Sequence, residues 1–250
     1  RAMPCSPVEA RLNQIAFVLL ALWMVATLWV PLVSTAMGLS VEAIGLGSSP
    51  GHVHPFADTR TLWGVAHGMD VLSNLPFVLG GLWGFWNLVG RRMPPTTAQA
   101  MSVFFAGLVC TGLGSAWYHL APDASGLVLD RLGMAVAFAG ALALGVAERV
   151  SACASRITLW LALVVALLSA VMPHSHGNVW PWVVVQLGGM ALMLWLALQK
   201  PVKGAVGVRI GLLIALYAVA KVLESADTLI FHGTGETVSG HTLKHLVAAL

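Results

Sequence analysis

The sequence predicts an all-α fold, a polytopic bundle of membrane-spanning helices. Of its 250 residues, 58% are hydrophobic and only 9% are charged, and the mean hydropathy is +0.85. Soluble domains carry about 25% charged residues. A helix needs roughly 20 apolar residues to cross the hydrocarbon core of a membrane, and the chain offers about eight such stretches. Together these observations exclude an ordinary soluble domain.

The apolar stretches define the expected elements in order. The first is longer than the apolar region of about 7–15 residues in a signal peptide, so we expect a retained anchor helix. The fifth is short, and a last helix begun at His241 would be only about 15 Å long. We therefore expect an anchor helix and long outer loop over 1–65, and a helical core over 66–250. The predicted spans are 15–36, 66–89, 99–119, 127–147, 157–172, 179–198, 207–230 and 238–250.

Loop charges predict the orientation. With eight crossings, nearly all loop cations fall on one side, whereas the opposite loops contain only Arg60 clear of the helices. By the positive-inside rule the cation-rich side and the N-terminus face the cytoplasm. The net charge of +3 therefore reflects topology, and no nucleic-acid partner is expected. The cations on the cytoplasmic side are Arg1, Arg11, Arg91, Arg92, Arg149, Arg156, Lys200, Lys203 and Arg209.

One long loop is a candidate lid, and the cysteines limit which atoms could bind a metal ion. The outer loop 38–65 is rich in Gly, Ser and Pro and is long enough to act as a lid or a substrate entrance. Cys5, Cys110 and Cys153 suit reduced thiols and form no CxxC pattern. Any metal ion would therefore be bound by nitrogen and oxygen atoms.

The histidines all map to the outer loops or the outer halves of helices. Five are interpreted as exposed loop residues, whereas three lie within or at the mouth of apolar segments, where an ionisable group indicates a functional site. The three are His119, His241 and His245; the five loop residues are His52, His54, His174, His176 and His232, and His67 lies at the start of the second predicted span.

Five polar groups are expected at similar depth near the outer surface. Ser115 precedes His119 by one helical turn in "GLGSAWYHLAPD", and Asp130 opens the fourth helix. His241 and His245 are four residues apart and share one face of a helix. The groups come from three helices, and this shared depth predicts a site.

Their chemistry suits hydrolysis of an acyl bond. Three imidazoles are a ligand set for catalytic Zn²⁺, which lowers the pKa of water and polarises a carbonyl group. Asp130 would orient and deprotonate the water, and Ser115 would donate a hydrogen bond to the developing oxyanion. The HxxxH spacing alone is not specific, because a diheme cytochrome or a metal transporter also shows it. The usual metalloprotease pattern needs Glu at the position of Thr242.

The order of these motifs resembles the alkaline ceramidase family, part of a superfamily of seven-helix membrane hydrolases that includes the adiponectin and progestin receptors. The resemblance lies in "SAWYH", an Asp eleven residues after that His, the terminal "GHTLKH" and the "VLSNLPFVLGG" of the first core helix, and it covers about 66–250. It implies a seven-helix hydrolase core plus one extra N-terminal transmembrane helix. It also implies a zinc-dependent amidase that cleaves the N-acyl bond of ceramide, or of a similar lipid, to a fatty acid and a sphingoid base.

Residue by residue, the resemblance assigns His119, His241 and His245 as zinc ligands. It makes Ser115 the serine beside the metal and Asp130 the acid that holds the water.

The chain departs from the family before the first core helix. The family has an acidic calcium site completed by a Glu, but His67 stands here in place of that Glu. Asp58 and Asp70 are too few for calcium, which takes 6–8 oxygen ligands. Calcium regulation is therefore in doubt, and the departures suggest a bacterial member acting on ceramide or another N-acyl lipid.

The remaining intramembrane charges have a structural interpretation. Lys221, Glu224 and Asp227 are spaced to form an ion pair along one helix; Glu224 or Asp227 is alternatively a partner for a zinc-bound imidazole. Asp70 is either structural or hydrogen-bonded toward the site. No P-loop or dinucleotide motif occurs in a fitting context, so no nucleotide is expected.

Two classes of function remain open. The first is a hydrolase acting on a lipid substrate in the bilayer. The second is a metal- or heme-binding receptor or transporter without hydrolase activity. Transport would favour polar groups along a whole helix, whereas here they cluster at one depth, which favours the hydrolase.

Overall fold

A computed structural model describes residues 6–38 and 56–250. The secondary-structure elements of these residues are helices, apart from one isolated β-bridge between Leu62 and Val65. The protein is an all-α polytopic bundle, as the sequence predicts. The helices are α1 (Pro7–Met37), α2 (Gly68–Leu72), α3 (Leu75–Leu88), α4 (Pro95–Leu120), α5 (Ala124–Arg149), α6 (Ala152–His176), α7 (Trp180–Ala197), α8 (Ile210–Ser225), α9 (Asp227–Gly233) and α10 (Gly240–Ala248).

Five of these helices are long and apolar enough to cross a membrane, namely α1, α4, α5, α6 and α7. They correspond to the first, third, fourth, fifth and sixth predicted spans. The other three predicted spans are occupied by shorter helices, which carry much of the candidate site.

The prediction of one helix over 66–89 is wrong, because the chain breaks between α2 and α3. Pro76 lacks an N–H group, and its ring excludes the carbonyl of Leu72 from a continuous helix. Ser73 and Asn74 instead donate side-chain hydrogen bonds to the carbonyl of Asp70, at 2.9 and 2.8 Å. The break therefore places three polar residues inside an apolar segment.

The helix predicted over 207–230 is also interrupted. The structure separates α8 from α9 at Ala226 and continues α9 to Gly233. The Asp227 carboxylate accepts hydrogen bonds from two other segments at this point, namely from the backbone N–H groups of Ala57 and His241. The last predicted helix, 238–250, is α10.

The fifth span is longer than predicted, since α6 runs from Ala152 to His176. Ser151 caps its start by accepting a hydrogen bond from the backbone N–H of Ala154 at 3.1 Å, and Gly177 ends it in the left-handed conformation, φ 67°. His174, predicted in a loop, therefore lies in the last helical turn. His232, also predicted in a loop, lies in α9. His52 and His54 fall outside the described residues.

Glycines bring α4 and α5 into close contact. A Cβ atom at Gly107 would collide with the backbone of Ala137, and one at Gly133 would collide with the backbone of Thr111. Small residues allow helix backbones to approach in this way. Gly81 and Gly84 likewise face α4, where a Cβ atom would collide with Phe105. Close packing of α4 on α5 places Ser115 and His119 beside the start of α5.

The two ends of α5 have different surroundings. Near its end, the buried Glu148 carboxylate accepts hydrogen bonds of 2.8–2.9 Å from the backbone N–H groups of Val206, Gly207 and Val208. Asp130 lies near its start, about 27 Å away along the helix axis. The loop that carries Lys200 and Lys203 is thus at the opposite end of the bundle from the candidate site.

Candidate metal centre

Three histidines converge at the end of α4 and in α10. Each of His119, His241 and His245 offers one ring nitrogen, and these nitrogens lie within 4.8 Å of one another. The Nε2 atoms of His119 and His241 are 3.2 Å apart. The residues are 1%, 8% and 4% exposed, respectively. The three histidines predicted from the sequence are therefore brought together in the protein interior.

This arrangement fits a metal ion. Zn²⁺–nitrogen bonds of 2.0–2.1 Å in a tetrahedron place neighbouring ligand atoms about 3.3 Å apart. The distance between the Nε2 atoms of His119 and His241 is close to that value. Imidazole nitrogen also suits copper, iron and nickel. The donor set therefore fits a first-row transition-metal ion.

A carboxylate and a serine define where α10 begins. Ser239 caps the helix by accepting a hydrogen bond from the backbone N–H of Thr242 at 3.0 Å. Asp227 accepts one from the backbone N–H of His241 at 2.7 Å. Negative charge at a helix N-terminus is stabilising. Gly240 is required because a Cβ atom there would collide with the carbonyl of Leu223 in α8.

Asp70 ties α2 to the same turn of α10. Its Oδ1 atom accepts hydrogen bonds from the hydroxyl of Thr242 at 2.7 Å and from that of Ser239 at 3.3 Å. The sequence alone did not decide whether Asp70 has a structural role or forms a hydrogen bond toward the site. Its carboxylate binds the histidine-bearing helix, so Asp70 positions that helix.

Ser73 orients the ring of His245. The Ser73 hydroxyl donates its proton to the carbonyl of Asp70 at 2.9 Å, and its oxygen is 2.8 Å from Nδ1 of His245. Because the only hydroxyl proton is already used, Nδ1 must be the donor in this contact. The tautomer inferred from this network leaves the lone pair on Nε2, the nitrogen that is free to bind a metal ion.

His241 is contacted by Lys244, which lies three residues further along α10. Lys244 Nζ is 3.0 Å from Nε2 of His241 and 3.0 Å from a carboxylate oxygen of Glu224. Glu224 also pairs with Lys221 at 2.7 Å, as predicted. Asp227 is not part of this ion-pair network, and it contacts the backbone of His241 rather than an imidazole ring. The Glu224 carboxylate thus forms the predicted ion pair, and its contacts are with Lys221 and Lys244 rather than with an imidazole ring.

Ser115 and Asp130 meet across the α4–α5 contact. Ser115 is buried one turn before His119, and its hydroxyl group is close enough to the Asp130 carboxylate to influence its ionisation. The charges of Lys244 and Glu224 also act on that carboxylate. The predicted serine therefore lies one helical turn from a histidine of the cluster, while the catalytic roles of Ser115 and Asp130 stay predictions.

Phe56 covers the cluster from the loop before α2. Its ring centroid is 4.7 Å from that of His119 and 5.0 Å from that of His241, both edge-on. We call residues 56–60 the strap. The strap belongs to the predicted lid, 38–65. The phenyl ring of Phe56 shields one side of two candidate metal ligands, His119 and His241.

Asp58 and Arg60 fasten the strap. Two hydrogen bonds of 2.8 and 2.6 Å join the Arg60 guanidinium to the Asp58 carboxylate, and Arg60 donates a third of 3.0 Å to the carbonyl of Thr237. Burial alone would raise the pKa of Asp58, but the hydrogen bonds from Arg60 hold it below its ordinary value. The Asp227 carboxylate accepts from the backbone N–H of Ala57 at 3.0 Å. The two acids considered for calcium, Asp58 and Asp70, are thus engaged by Arg60 and by α10.

Sequence reasoning missed the contributions of Ser73 and Phe56. A signal existed for Ser73, since it stands three residues after Asp70 in an apolar segment, the spacing of one helical face. Nothing local marked Phe56, because its partners come from α4 and α10.

Comparison with protein-family models and with curated proteins finds no match for this chain. Fold and site together define a polytopic all-α membrane protein with a buried three-histidine cluster that fits a metal ion.

Proposed function

We propose that this protein is a zinc-dependent intramembrane lipid amidase, which hydrolyses the N-acyl bond of ceramide or a similar lipid to a fatty acid and a sphingoid base. The observation that carries the proposal is the convergence of His119, His241 and His245 beside a serine–aspartate pair among apolar helices. The motif resemblance to alkaline ceramidases supports the same reaction and the choice of zinc.

The three histidines, Asp130 and Ser115 have different roles in the proposed hydrolysis. Zinc, when bound by the three imidazoles, supplies a Lewis acid that polarises a carbonyl group and promotes ionisation of water. Asp130 accepts a proton as the water oxygen adds to the amide carbon. That proton passes to the departing amine when the C–N bond breaks. Ser115 would orient the Asp130 carboxylate by donating a hydrogen bond to it.

The surroundings suit a lipid substrate. α4 and α5, which supply Ser115, His119 and Asp130, are apolar enough to cross a membrane. The fatty acyl chain would lie among such helices, while Phe56 excludes water from one side of the histidines. In our proposal the lid over 38–65 and the strap control entry of the lipid.

We further propose that the N-terminus is cytoplasmic and that the site lies near the outer face of the membrane. The loop with Lys200 and Lys203 is at the end of α5 distant from Asp130. Under the positive-inside rule, this separation supports a histidine cluster on the side of the membrane opposite to that loop.

The test combines elemental analysis of the purified protein with hydrolysis of a fluorescent N-acyl sphingosine. We expect about one zinc per chain in the wild type, loss of zinc and turnover in His245→Ala, and retained zinc with turnover reduced about 10²–10⁴-fold in Asp130→Asn. His232→Ala is the matched control, because its side chain is 65% exposed and lies outside the cluster.

Other results separate the alternatives. Zinc without turnover of N-acyl lipids would contradict the amidase and favour a metal-binding receptor or transporter. A heme absorption band in place of zinc would favour the heme-binding alternative. Absence of zinc and of turnover from the wild type would leave only the fold in common with the ceramidases.

A further inference from the structure

Lys244 is the one cation that contacts the histidine cluster within the described residues. It follows His241 by three positions on α10, so both side chains lie on one face of the helix. Its side chain is 19% exposed. An ammonium group held this far inside an apolar bundle is costly and indicates a function.

Glu224 fixes the position of this ammonium group. One carboxylate oxygen of Glu224 binds Lys244 at 3.0 Å, and the other binds Lys221 at 2.7 Å. A carboxylate shared by two cations from different helices restrains the lysine on a defined side of the cluster. The charge of Lys244 also acts on the Asp130 carboxylate, and the ammonium group is in direct contact with the ring of His241.

The contact with His241 shows where this donor points. Lys244 Nζ lies 3.0 Å from Nε2 of His241, the atom that also approaches His119. An ammonium group has only donor capacity, so the bond requires the lone pair of Nε2. A metal ion bound to that lone pair would end this hydrogen bond and leave one N–H group of Lys244 directed at the metal centre.

We propose that Lys244 donates a hydrogen bond to the carbonyl oxygen of the substrate and stabilises the negative charge that develops there, an inference that rests on the amidase function proposed above. As water adds to the carbonyl carbon, the π electron pair moves onto oxygen beside the ammonium group. The pair returns when the C–N bond breaks. Lys244 keeps its proton throughout, and Glu224 holds the cation in place.

The experiment compares Lys244→Met with Lys221→Met in the full chain. Both substitutions remove one cation from Glu224, but only Lys244 contacts His241. We expect Lys244→Met to retain zinc, to keep its KM within a few-fold and to lose about 10²–10³-fold in kcat. Lys244→Arg should recover part of kcat, and Lys221→Met, which leaves the contact between Glu224 and Lys244 in place, should lose much less kcat than Lys244→Met.

A binding measurement supplies a readout that is independent of turnover. Laurate, a fatty-acid anion, is titrated into the cobalt(II)-substituted protein and followed by the visible spectrum of the metal. We expect the affinity for laurate to fall about 10-fold or more in Lys244→Met, because a hydrogen bond to a charged group is lost.

Three results would overturn the inference. They are unchanged kcat and laurate affinity in Lys244→Met, loss of zinc from Lys244→Met and Lys244→Arg alike, and an equal defect in Lys221→Met. The second result would make Lys244 a support for His241, and the third would assign the effect to the ion-pair network. A wild type without zinc or turnover would instead refute the amidase proposal itself.

Discussion

At the scale of single residues, Ser73 shows how one hydroxyl group selects the nitrogen of His245 that faces the cluster. The hydroxyl proton is committed to the carbonyl of Asp70, and Nδ1 of His245 therefore donates to the hydroxyl oxygen. Nε2 keeps its lone pair. Partners of this kind fix ring orientation and raise the basicity of a metal ligand.

We expect Ser73→Ala to weaken zinc binding about 10–100-fold without unfolding the protein, because the ring of His245 loses its acceptor. The measurement is competition for zinc against a chelator of known affinity, with the helical signal followed by circular dichroism. Ser73→Thr retains a hydroxyl group and should stay near the wild type. Equal zinc affinity in all three proteins would show that this hydroxyl does not orient the ring.

The sequence could predict which residue types meet at the site, but not their partners. His119, His241, His245, Ser115 and Asp130 were identifiable because polar groups in apolar segments are costly and their depth can be counted along a helix. The contact between Ser73 and His245 spans 172 positions of sequence. Helical periodicity carries no information about a pairing at that separation.

At the scale of elements, the strap depends on one ion pair. Asp58 and Arg60 are joined by two hydrogen bonds, and the Arg60 guanidinium lies 5.2 Å from the ring centroid of Phe231 in α9. The strap in turn holds Phe56 against His119 and His241. Loss of the ion pair should therefore loosen the cover of the site while the helices remain in place.

We expect Asp58→Asn to lower the melting temperature by roughly 2–4 °C for each kcal/mol of unfolding free energy that is lost. The size of this decrease should depend on pH. Burial opposes ionisation of Asp58, but the hydrogen bonds from Arg60 prevail, and its folded pKa lies below the ordinary value. The stabilisation is therefore complete above the unfolded pKa of about 3.9 and is lost as the pH falls through the lower, folded value.

The measurement is the melting temperature of wild type and Asp58→Asn between pH 8 and pH 3. The difference should stay constant from pH 8 to about pH 5 and shrink below about pH 4. Asp123→Asn is a useful comparison, because backbone hydrogen bonds from Gly126 also lower the pKa of Asp123, which caps α5 away from the strap. A difference that grew as the pH fell would contradict the assigned role of the ion pair.

The presence of the helices could be predicted from the apolar stretches of the sequence, but the breaks within two of the predicted helices could not. Windows of hydropathy average over Ser73 and Asn74, so the break before α3 went unseen although Pro76 marked it. The short estimate for the fifth span arose because Arg156 and His174 were excluded from the apolar window. Both residues nonetheless lie inside α6, where charged side chains near helix ends can extend to the membrane surface.

At the scale of the whole molecule, α5 links the two ends of the bundle. Glu148 anchors the loop with Lys203 at one end, and Asp130 meets Ser115 at the other. Their separation of about 27 Å along the helix is close to the thickness of the hydrocarbon core, about 30 Å. A chain inserted with its cationic loops inside would therefore present the histidine cluster near the outer surface.

This orientation predicts opposite accessibility for two single cysteines. In a variant whose three native cysteines are replaced by serine, Thr237→Cys lies in the exposed turn before α10 and Lys203→Cys lies in the loop bound by Glu148. A membrane-impermeant maleimide should label Thr237→Cys in sealed cells, and Lys203→Cys only after permeabilisation. The reason is that Lys and Arg near helix ends are retained on the cytoplasmic side during insertion. Labelling of Lys203→Cys in sealed cells, with Thr237→Cys protected, would reverse the orientation and place the proposed lipid hydrolysis at the inner leaflet, while leaving the metal-binding prediction untouched.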